Sequence, residues 1–254
     1  MRLSASSRSV AALAWSRILG LPDQSLHAGA MGESSDFTLK PSRQAATRAT
    51  YLQLVRASAL IAPQWFIEAC ENAPASEIAD PRLLVDMARH YGYRDARILS
   101  EEAIYLLDEV PQYAQPRVEN PDRVVVSLSR EDSQALERQC PADDFIYTHP
   151  SARDHQFTAV DEDESALWST SAYDVWEGLV ADIAVLVSPE SRLQGFGKFI
   201  TGVAAEDALS DGLVPQLRVG MGNAAAMTLA ESLGFELSGS VTSVFLGETT
   251  TTPR

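Results

Sequence analysis

The chain has 254 residues, with 35 Asp and Glu side chains against 20 Lys and Arg and a formal net charge of −15. Hydrophobic residues make up 45% and charged residues 22%, a balance that excludes a wholly disordered chain, a collagen and a coiled coil. The acidity argues against nucleic acid as the main partner, because binding to a phosphate backbone needs a basic surface. It leaves open a small phosphorylated ligand held by backbone N–H groups.

The cysteine content and the apolar runs indicate a compartment. Two cysteines, Cys70 and Cys140, are too few for a disulfide framework, so we expect a reducing, cytoplasmic location. No apolar run approaches the ~20 residues that a membrane helix needs, and no membrane partner is predicted. The short apolar stretch near the N-terminus is interrupted by Arg17, which favours an amphipathic helix over a signal peptide.

The charge is unevenly distributed along the chain. Residues 1–120 carry 12 basic and 14 acidic side chains, whereas residues 121–254 carry 8 and 21. The change falls in the polar stretch 115–122, whose two prolines are typical of a linker. We predict an N-terminal α/β domain over 1–120, a second domain over 121–247 and a disordered tail over 248–254. The alternative is one domain with an N-terminal extension.

The N-terminal part contains no catalytic motif. Residues 10–19 indicate a helix that Gly20 ends, and the polar residues 22–47 are predicted as loop. Residues 51–59 favour a strand, with a helix as the alternative. The further predicted elements are helices over 64–72 and 82–91, each beginning next to a proline, and a strand over 103–107.

The second part has clearer patterns. Ser129 is a candidate N-cap for a helix that runs to residue 139, and the acidic run 161–164 indicates the tip of a hairpin. Residues 180–187 form a nearly continuous apolar strand. The other predicted elements are strands over 123–128, 157–160, 166–168, 216–219 and 241–246, and helices over 199–210 and 223–233.

A glycine loop follows the apolar strand and precedes a helix. Gly195 and Gly197 allow the backbone to approach a ligand closely, and N–H groups at a helix start point in one direction. The helix dipole adds partial positive charge, so the loop suits an anion such as a diphosphate. The alternative is a tight turn without a ligand. The spacing lacks the Gly-Lys-Ser/Thr of a Walker loop and the third glycine of a dinucleotide-binding loop.

These residues resemble the acyl-CoA signature of the GNAT N-acetyltransferase superfamily, in which Arg/Gln-x-x-Gly-x-Gly/Ala follows an apolar strand. The resemblance is carried by Arg192-Leu193-Gln194-Gly195-Phe196-Gly197 and, downstream, by Asn223 and the pair Gly234-Phe235. It covers residues 121–247. It implies a mixed, mainly antiparallel central sheet flanked by helices, and residues 1–120 are a candidate degenerate GNAT-like partner domain.

The resemblance also implies which residues bind the donor, acetyl-CoA or another acyl-CoA. Val185, Leu186 and Val187 are expected to pair with the pantetheine arm like an added strand. Asn223 is expected to hydrogen-bond the donor near its thiol half, with a plain helix N-cap as the compatible alternative. The residues expected at the diphosphate are Arg192, Leu193, Gln194, Gly195, Phe196, Gly197 and Lys198.

Members of this family transfer the acyl group directly from the thioester to an amine. The reaction needs N–H groups for the developing oxyanion and a proton acceptor for the amine. Asp182 is the favoured base, and Glu177 and Asp174 are the alternatives. The family often has a tyrosine four residues before the glycine of its closing Gly-Phe, and this chain has Ala230 there, so the usual general acid is absent.

Other side chains have weaker signals. Tyr173 and Trp176 are candidate walls of an acceptor pocket, although aromatic residues more often pack in the core. His149 and His155 are alternative bases because imidazole titrates near neutrality. Their spacing with Asp154 does not predict a metal site.

The predicted function is therefore N-acyl transfer from a CoA thioester to an amine of a small molecule or a protein. The acidic surplus attracts a cationic amine or simply keeps the protein soluble. The first alternative is a GNAT-fold transferase that uses a carrier protein or another thioester donor. The second is a non-catalytic acyl-CoA-binding module, and a homodimer is possible in each case.

Overall fold

The structure is a computed structural model that describes residues 3–35, 37–146, 148–163 and 166–247. The chain forms two compact units, and the boundaries fall within one helix and three strands as well as in the turn before Asn223. Within the described residues, the first unit contains residues 3–11, 105–218 and 223–236, and the second contains residues 12–104, 219–222 and 237–247. These units differ from the predicted domains, because residues 105–120 belong with the glycine loop and residues 237–247 do not. The predicted tail over 248–254 lies outside the described residues.

Helices form where the sequence indicates them in most cases. They are α1 (Ala5–Ile18), α2 (His27–Met31), α3 (Gln64–Cys70), α4 (Ala75–Ile78), α5 (Pro81–His90), α6 (Arg130–Gln139), α7 (Phe196–Ser210) and α8 (Ala224–Ser232). The side chain of Ser129 caps α6, as predicted, and the side chain of Asp80 caps α5. Within the described residues, none of these helices combines the length and the apolar character needed to cross a bilayer.

The strands lie between these helices and after the last one, singly or in runs of two or three. They are β1 (Phe37–Pro41), β2 (Arg48–Leu54), β3 (Ala57–Ala62), β4 (Arg97–Leu106), β5 (Val124–Ser127), β6 (His155–Asp161), β7 (Leu167–Trp176), β8 (Val180–Val187), β9 (Val214–Gly220) and β10 (Glu236–Phe245). The strand over 180–187 and the hairpin of β6 and β7 are confirmed. The predicted loop over 22–47 is wrong, because it contains α2 and β1.

The first unit contains the strand order β9-β8-β7-β6-β5. The pairings β5–β6, β6–β7 and β7–β8 are antiparallel, and β8–β9 is parallel. Side chains of β7 alternate between the two faces: Thr170 bonds to Ser133 on α6, and Ser169 bonds to the carbonyl of Phe196 on α7. The sheet therefore lies between α6 and α7, which confirms the predicted class of a mixed, mainly antiparallel sheet flanked by helices.

The second unit contains the strand order β1-β3-β2-β10-β4. Its core joins β2, β3 and the end of β10 to helices α3 and α5 through side chains such as Phe66, Leu84 and Val244. Residues 51–59 form parts of two strands, β2 and β3. The turn between them was missed because it has no Gly or Asn, and Val55 adopts a φ of 57° there.

The stretch predicted as a linker is packed in the first unit. Pro116 is buried, and the N–H of Arg117 donates to the carbonyl of Gln194 at 2.8 Å. Its prolines and polar side chains resemble those of a linker because the stretch consists of a bend at residues 117–119 and the start of a 3₁₀ turn, and belongs to no strand.

The N-cap of α6 can be tested by mutation. The Ser129 hydroxyl oxygen accepts the N–H of Glu131 at 3.2 Å and donates to the Glu131 carboxylate at 2.6 Å. We expect Ser129→Ala to lower the free energy of unfolding by about 1 kcal/mol, measured by urea denaturation. Ser129→Asp keeps an N-cap acceptor and is the matched control. Equal losses for both variants would contradict the assigned cap.

Candidate functional site

The glycine loop connects the end of β8 to the start of α7. A 3₁₀ turn, Pro189–Ser191, follows the strand, and Gly195 is the N-cap of α7 with a φ of 94°. Leu193 also has a left-handed φ, 65°, while its side chain is fully exposed. A leucine in that conformation is strained and gains nothing from packing here. Such strain is concentrated at functional sites in proteins.

The loop presents a row of unpaired backbone donors. Phe199 is the first residue of α7 whose N–H is bonded within the helix, to the carbonyl of Gly195 at 3.0 Å. The N–H groups of residues 193–198 have no hydrogen-bond acceptor in the part of the chain that the structure describes. Six consecutive donors at the positive end of a 15-residue helix form a binding surface for an anion.

The start of α7 lies directly against the end of β8. A Cβ built on Gly197 would lie 3.1 Å from Cγ2 of Val187, which is tighter than ordinary side-chain contact. Phe196 stacks on Trp168 with ring centroids 4.9 Å apart. The small residue at 197 therefore allows the helix start to approach the strand, so the free N–H groups begin where the strand ends.

Strands β8 and β9 part before β8 reaches the loop. Their parallel pairing runs from Val180 opposite Val214 to Ile183 opposite Leu217 and extends no further among the described residues. The pairing of β8 with β7 continues to Val187. The backbone edge of Val185, Leu186 and Val187 is therefore open on the β9 side, where an extended ligand can pair with it.

The two predicted cationic ligands are held by protein groups. The guanidinium of Arg192 lies 2.7 Å from the carboxylate of Asp144, and the ammonium of Lys198 donates to the carbonyl of Ser232 at 2.7 Å. Both positive charges lie near the loop, but each side chain would have to leave its protein partner to bind a ligand.

Helix α8 contains two positions that the resemblance singled out. Asn223 is the N-cap, and its side-chain oxygen accepts the N–H of Ala226 at 3.0 Å. This is the cap alternative, and it leaves the side-chain amide N–H groups of the exposed Asn223 available. Ala230 is completely buried.

The favoured base, Asp182, is the centre of a buried ion cluster. Its carboxylate is 2% exposed. Arg218 binds both carboxylate oxygens at 3.0 Å, Arg153 lies 3.1 Å away, and Gln216 donates at 3.0 Å. Burial alone would raise the pKa of Asp182, but the charges of Arg218 and Arg153 outweigh it and hold the pKa below its usual value. The geometry therefore does not favour Asp182 as a proton acceptor, and its contacts are those of a structural ion pair.

The structure separates the two alternative carboxylates. Asp174 lies opposite Asp182 in the β7–β8 register, and its side chain is 42% exposed. One of its oxygens accepts the N–H of Asp154 at 3.0 Å. Glu177 lies in the tight β7–β8 turn with a φ of 54°, at the end of β8 opposite to the glycine loop. Of the three candidates, Asp174 alone is both beside β8 and open to solvent.

The remaining aromatic and histidine candidates have packing contacts. The ring of His155 stacks on Tyr173 at 4.3 Å, and the Tyr173 hydroxyl donates to Asp207 at 2.6 Å. Trp176 lies 4.8 Å below the guanidinium of Arg218. His149 has a φ of 37° and precedes a 3₁₀ turn. Among the described residues, no group of three or more His, Cys, Asp or Glu side chains is placed to hold a metal ion.

Sequence reasoning missed Arg153 and Arg218. They lie 29 and 36 residues from Asp182, and neither belongs to a recognisable motif. A weak signal exists, because Asp182 interrupts an otherwise apolar strand and a buried carboxylate needs a cationic partner.

Three solved structures similar to this chain are acetyltransferases or acetyltransferase-like proteins. A putative acetyltransferase of the GNAT family from Novosphingobium aromaticivorans is 19% identical, with a TM-score of 0.42 over 62% of this chain and 69% of that one. A GCN5-related N-acetyltransferase from Kribbella flavida is 18% identical, with a TM-score of 0.43 over 62% of each chain. A GCN5-related N-acetyltransferase-like protein from Streptococcus suis is 14% identical, with a TM-score of 0.45 over 95% and 99%.

These neighbours come from the superfamily whose signature the glycine loop resembles. The match spans less than two thirds of the Kribbella protein. No family model matches the chain, and no curated protein does. Because the identities lie below 20% and the TM-scores below 0.5, the functional interpretation depends on the residues of this chain.

The Asp182 cluster gives a prediction about acid stability. A carboxylate with a lowered folded-state pKa stabilises the fold above its unfolded pKa of about 4, and the contribution disappears as the pH falls through the folded pKa. We expect Asp182→Asn to cost about 3 kcal/mol at pH 7, because Arg218 and Arg153 then lose the buried carboxylate that pairs with both of them. The difference from wild type should shrink below about pH 4, measured by urea denaturation at several pH values.

The matched control for this prediction is Asp143→Asn, which changes an exposed carboxylate. A wild-type advantage that stays constant down to pH 3 would contradict the assigned ionisation of Asp182.

Proposed function

We propose that this protein is an N-acyltransferase that binds acetyl-CoA or a related acyl-CoA and transfers the acyl group directly to an amine. The observation that carries the proposal is the row of six unpaired N–H groups over residues 193–198, next to the open edge of β8. An anion site and an unpaired strand edge that adjoin each other suit a ligand with a diphosphate and an extended amide-containing arm.

The residues fit this donor in two respects. The diphosphate would accept hydrogen bonds from the loop, whose glycines leave room for close approach. The amides of the pantetheine arm would continue the ladder of β8 along Val185–Val187, where the pairing with β9 has ended. Asn223 would add its free side-chain N–H groups on the α8 side.

The transfer forms a C–N bond between amine and acyl carbon and breaks the C–S bond of the thioester. The amine must lose a proton, and the leaving thiolate must gain one. We assign the first role to Asp174, which is 42% exposed and lies 3.8 Å from one arginine, Arg153. Asp182 is instead buried between two arginines, and Glu177 lies at the far end of β8. Ala230 supplies no proton, so water serves as the acid.

A specific observation favours a second candidate, a non-catalytic acyl-CoA-binding module. Ala230 occupies the position of the usual acidic tyrosine and is buried, so no hydroxyl replaces it there. A carrier-protein donor is less suited to this chain, since an acidic carrier would be repelled by a net charge of −15.

Binding of the donor is the first test of the proposal. We expect isothermal titration to detect CoA and acetyl-CoA, and Gly195→Val to weaken both by at least tenfold, because a β-branched residue cannot keep a φ of 94° without turning the loop amides. Gly212→Val is the matched control, with a φ of 75°, open space around it and a position at the other end of α7. Equal affinity in wild type and Gly195→Val would refute the phosphate site.

Turnover separates the enzyme from the binding module. In a free-thiol release assay with a panel of amines, we expect Asp174→Asn to reduce the rate at least tenfold while the Kd for acetyl-CoA stays unchanged. Glu177→Gln is the control and should retain the wild-type rate. Donor binding without thiol release on any amine would support the non-catalytic module instead.

A further inference from the structure

The segment 113–118, here called the strap, lies along the first turns of α7. The ring of Tyr113 occupies the space above Gly202, where an added Cβ would lie 2.2 Å from the ring carbon Cδ1. The Tyr113 hydroxyl donates to the Glu206 carboxylate at 2.6 Å. Burial and the neighbouring Glu206 charge raise the pKa of Tyr113, so the hydroxyl keeps its proton and remains the donor. One end of the strap is therefore anchored on α7.

The other end of the strap reaches the glycine loop. Pro116 is buried, with its Cα 3.7 Å from the position of a Cβ built on Gly195. The N–H of Arg117 donates to the carbonyl of Gln194 at 2.8 Å. Because this anchor uses the backbone, the side chain of Arg117 is not needed to hold the strap in place.

The charges around the loop differ in their availability. The guanidinium of Arg192 is paired with Asp144, and the ammonium of Lys198 is bonded to the carbonyl of Ser232. Arg117 is exposed, and its guanidinium has no hydrogen-bond or ion-pair partner among the residues that the structure describes. Of these three cations, Arg117 is the one with no such side-chain contact among the described residues, and its backbone contacts the loop at Gln194.

We propose that Arg117, delivered by the strap, binds a phosphate group of the donor. The inference rests on the proposed function and extends its phosphate site beyond the stretch of chain that resembles a known family. A polyanionic ligand approaching a chain of net charge −15 gains from a local unpaired cation, and guanidinium forms strong, bidentate hydrogen bonds with phosphate.

The experiment measures the Kd of CoA by isothermal titration for wild type, Arg117→Ala, Arg117→Lys and Arg138→Ala. We expect Arg117→Ala to weaken binding about tenfold, the loss of one charge-assisted hydrogen-bonded contact, and Arg117→Lys to recover part of it. Arg138 is an exposed arginine of α6 whose side chain has no partner within the described part of the chain, and it serves as the matched control, with a change below twofold. An Arg117→Ala variant within twofold of wild type overturns the inference.

Pantetheine, which has no phosphate, tests whether Arg117 acts through charge. Its affinity should be the same for wild type and Arg117→Ala, and an equal loss on pantetheine and CoA overturns the inference by showing a general structural effect. Tyr113→Phe removes the hydrogen bond to Glu206 and loosens the strap, so the single variant should bind CoA more weakly than wild type. The double variant with Arg117→Ala should bind CoA about as weakly as Arg117→Ala does.

The failure of this inference differs from the failure of the proposed function. If wild type does not bind CoA, the phosphate site is wrong and Arg117 has no such ligand. If wild type binds CoA, Gly195→Val does not, and Arg117→Ala binds as wild type does, the loop is the phosphate site and the role of Arg117 alone is rejected.

Discussion

The candidate site depends on the close approach of the start of α7 to the end of β8. Gly197 permits this approach, since any side chain there would press on Val187. Two further contacts fix the helix start: the Ser169 hydroxyl donates to the carbonyl of Phe196 at 3.3 Å, and Trp168 stacks on the Phe196 ring. The free N–H groups of α7 and the free edge of β8 are thereby held in one place by the same packing.

Charged side chains lie in the core near the point where β8 and β9 separate. A sheet that stops pairing in its interior leaves strand positions without ladder contacts, and here Arg218 is the first residue of β9 beyond the last pair. Its guanidinium reaches back to Asp182, which Arg153 approaches from outside the sheet. Burying three charges is costly, and the cluster is tolerated because each oxygen and the backbone carbonyl of Asp182 are bonded. The cluster ties the separating strands together just before the gap opens.

The sequence predicts local features well and distant pairings poorly. The glycine loop, the apolar strand before it and the caps of α5, α6 and α8 follow from residue types only a few positions apart, and the structure contains the corresponding turns and helices. The role of Asp182 could not be predicted, because its arginines come from distant segments and invert the chemistry that a carboxylate on that strand suggests. Residues 115–118 of the strap lie in the stretch predicted as a linker for a related reason: the anchors of the strap, Gly202 and Gln194, are recognisable only after α7 has been placed beside it.

An acidic protein can still present a site for anions, because the charges that matter are local. Near the loop the field comes from oriented N–H dipoles and from the side chains of Arg192 and Lys198, whereas exposed acidic side chains farther than about 10 Å are largely screened by salt. Asp144 compensates one of these cations, and the Ser232 carbonyl holds another. The unpaired N–H groups of residues 193–198 therefore remain local hydrogen-bond donors among the described residues, although the chain as a whole has a net charge of −15.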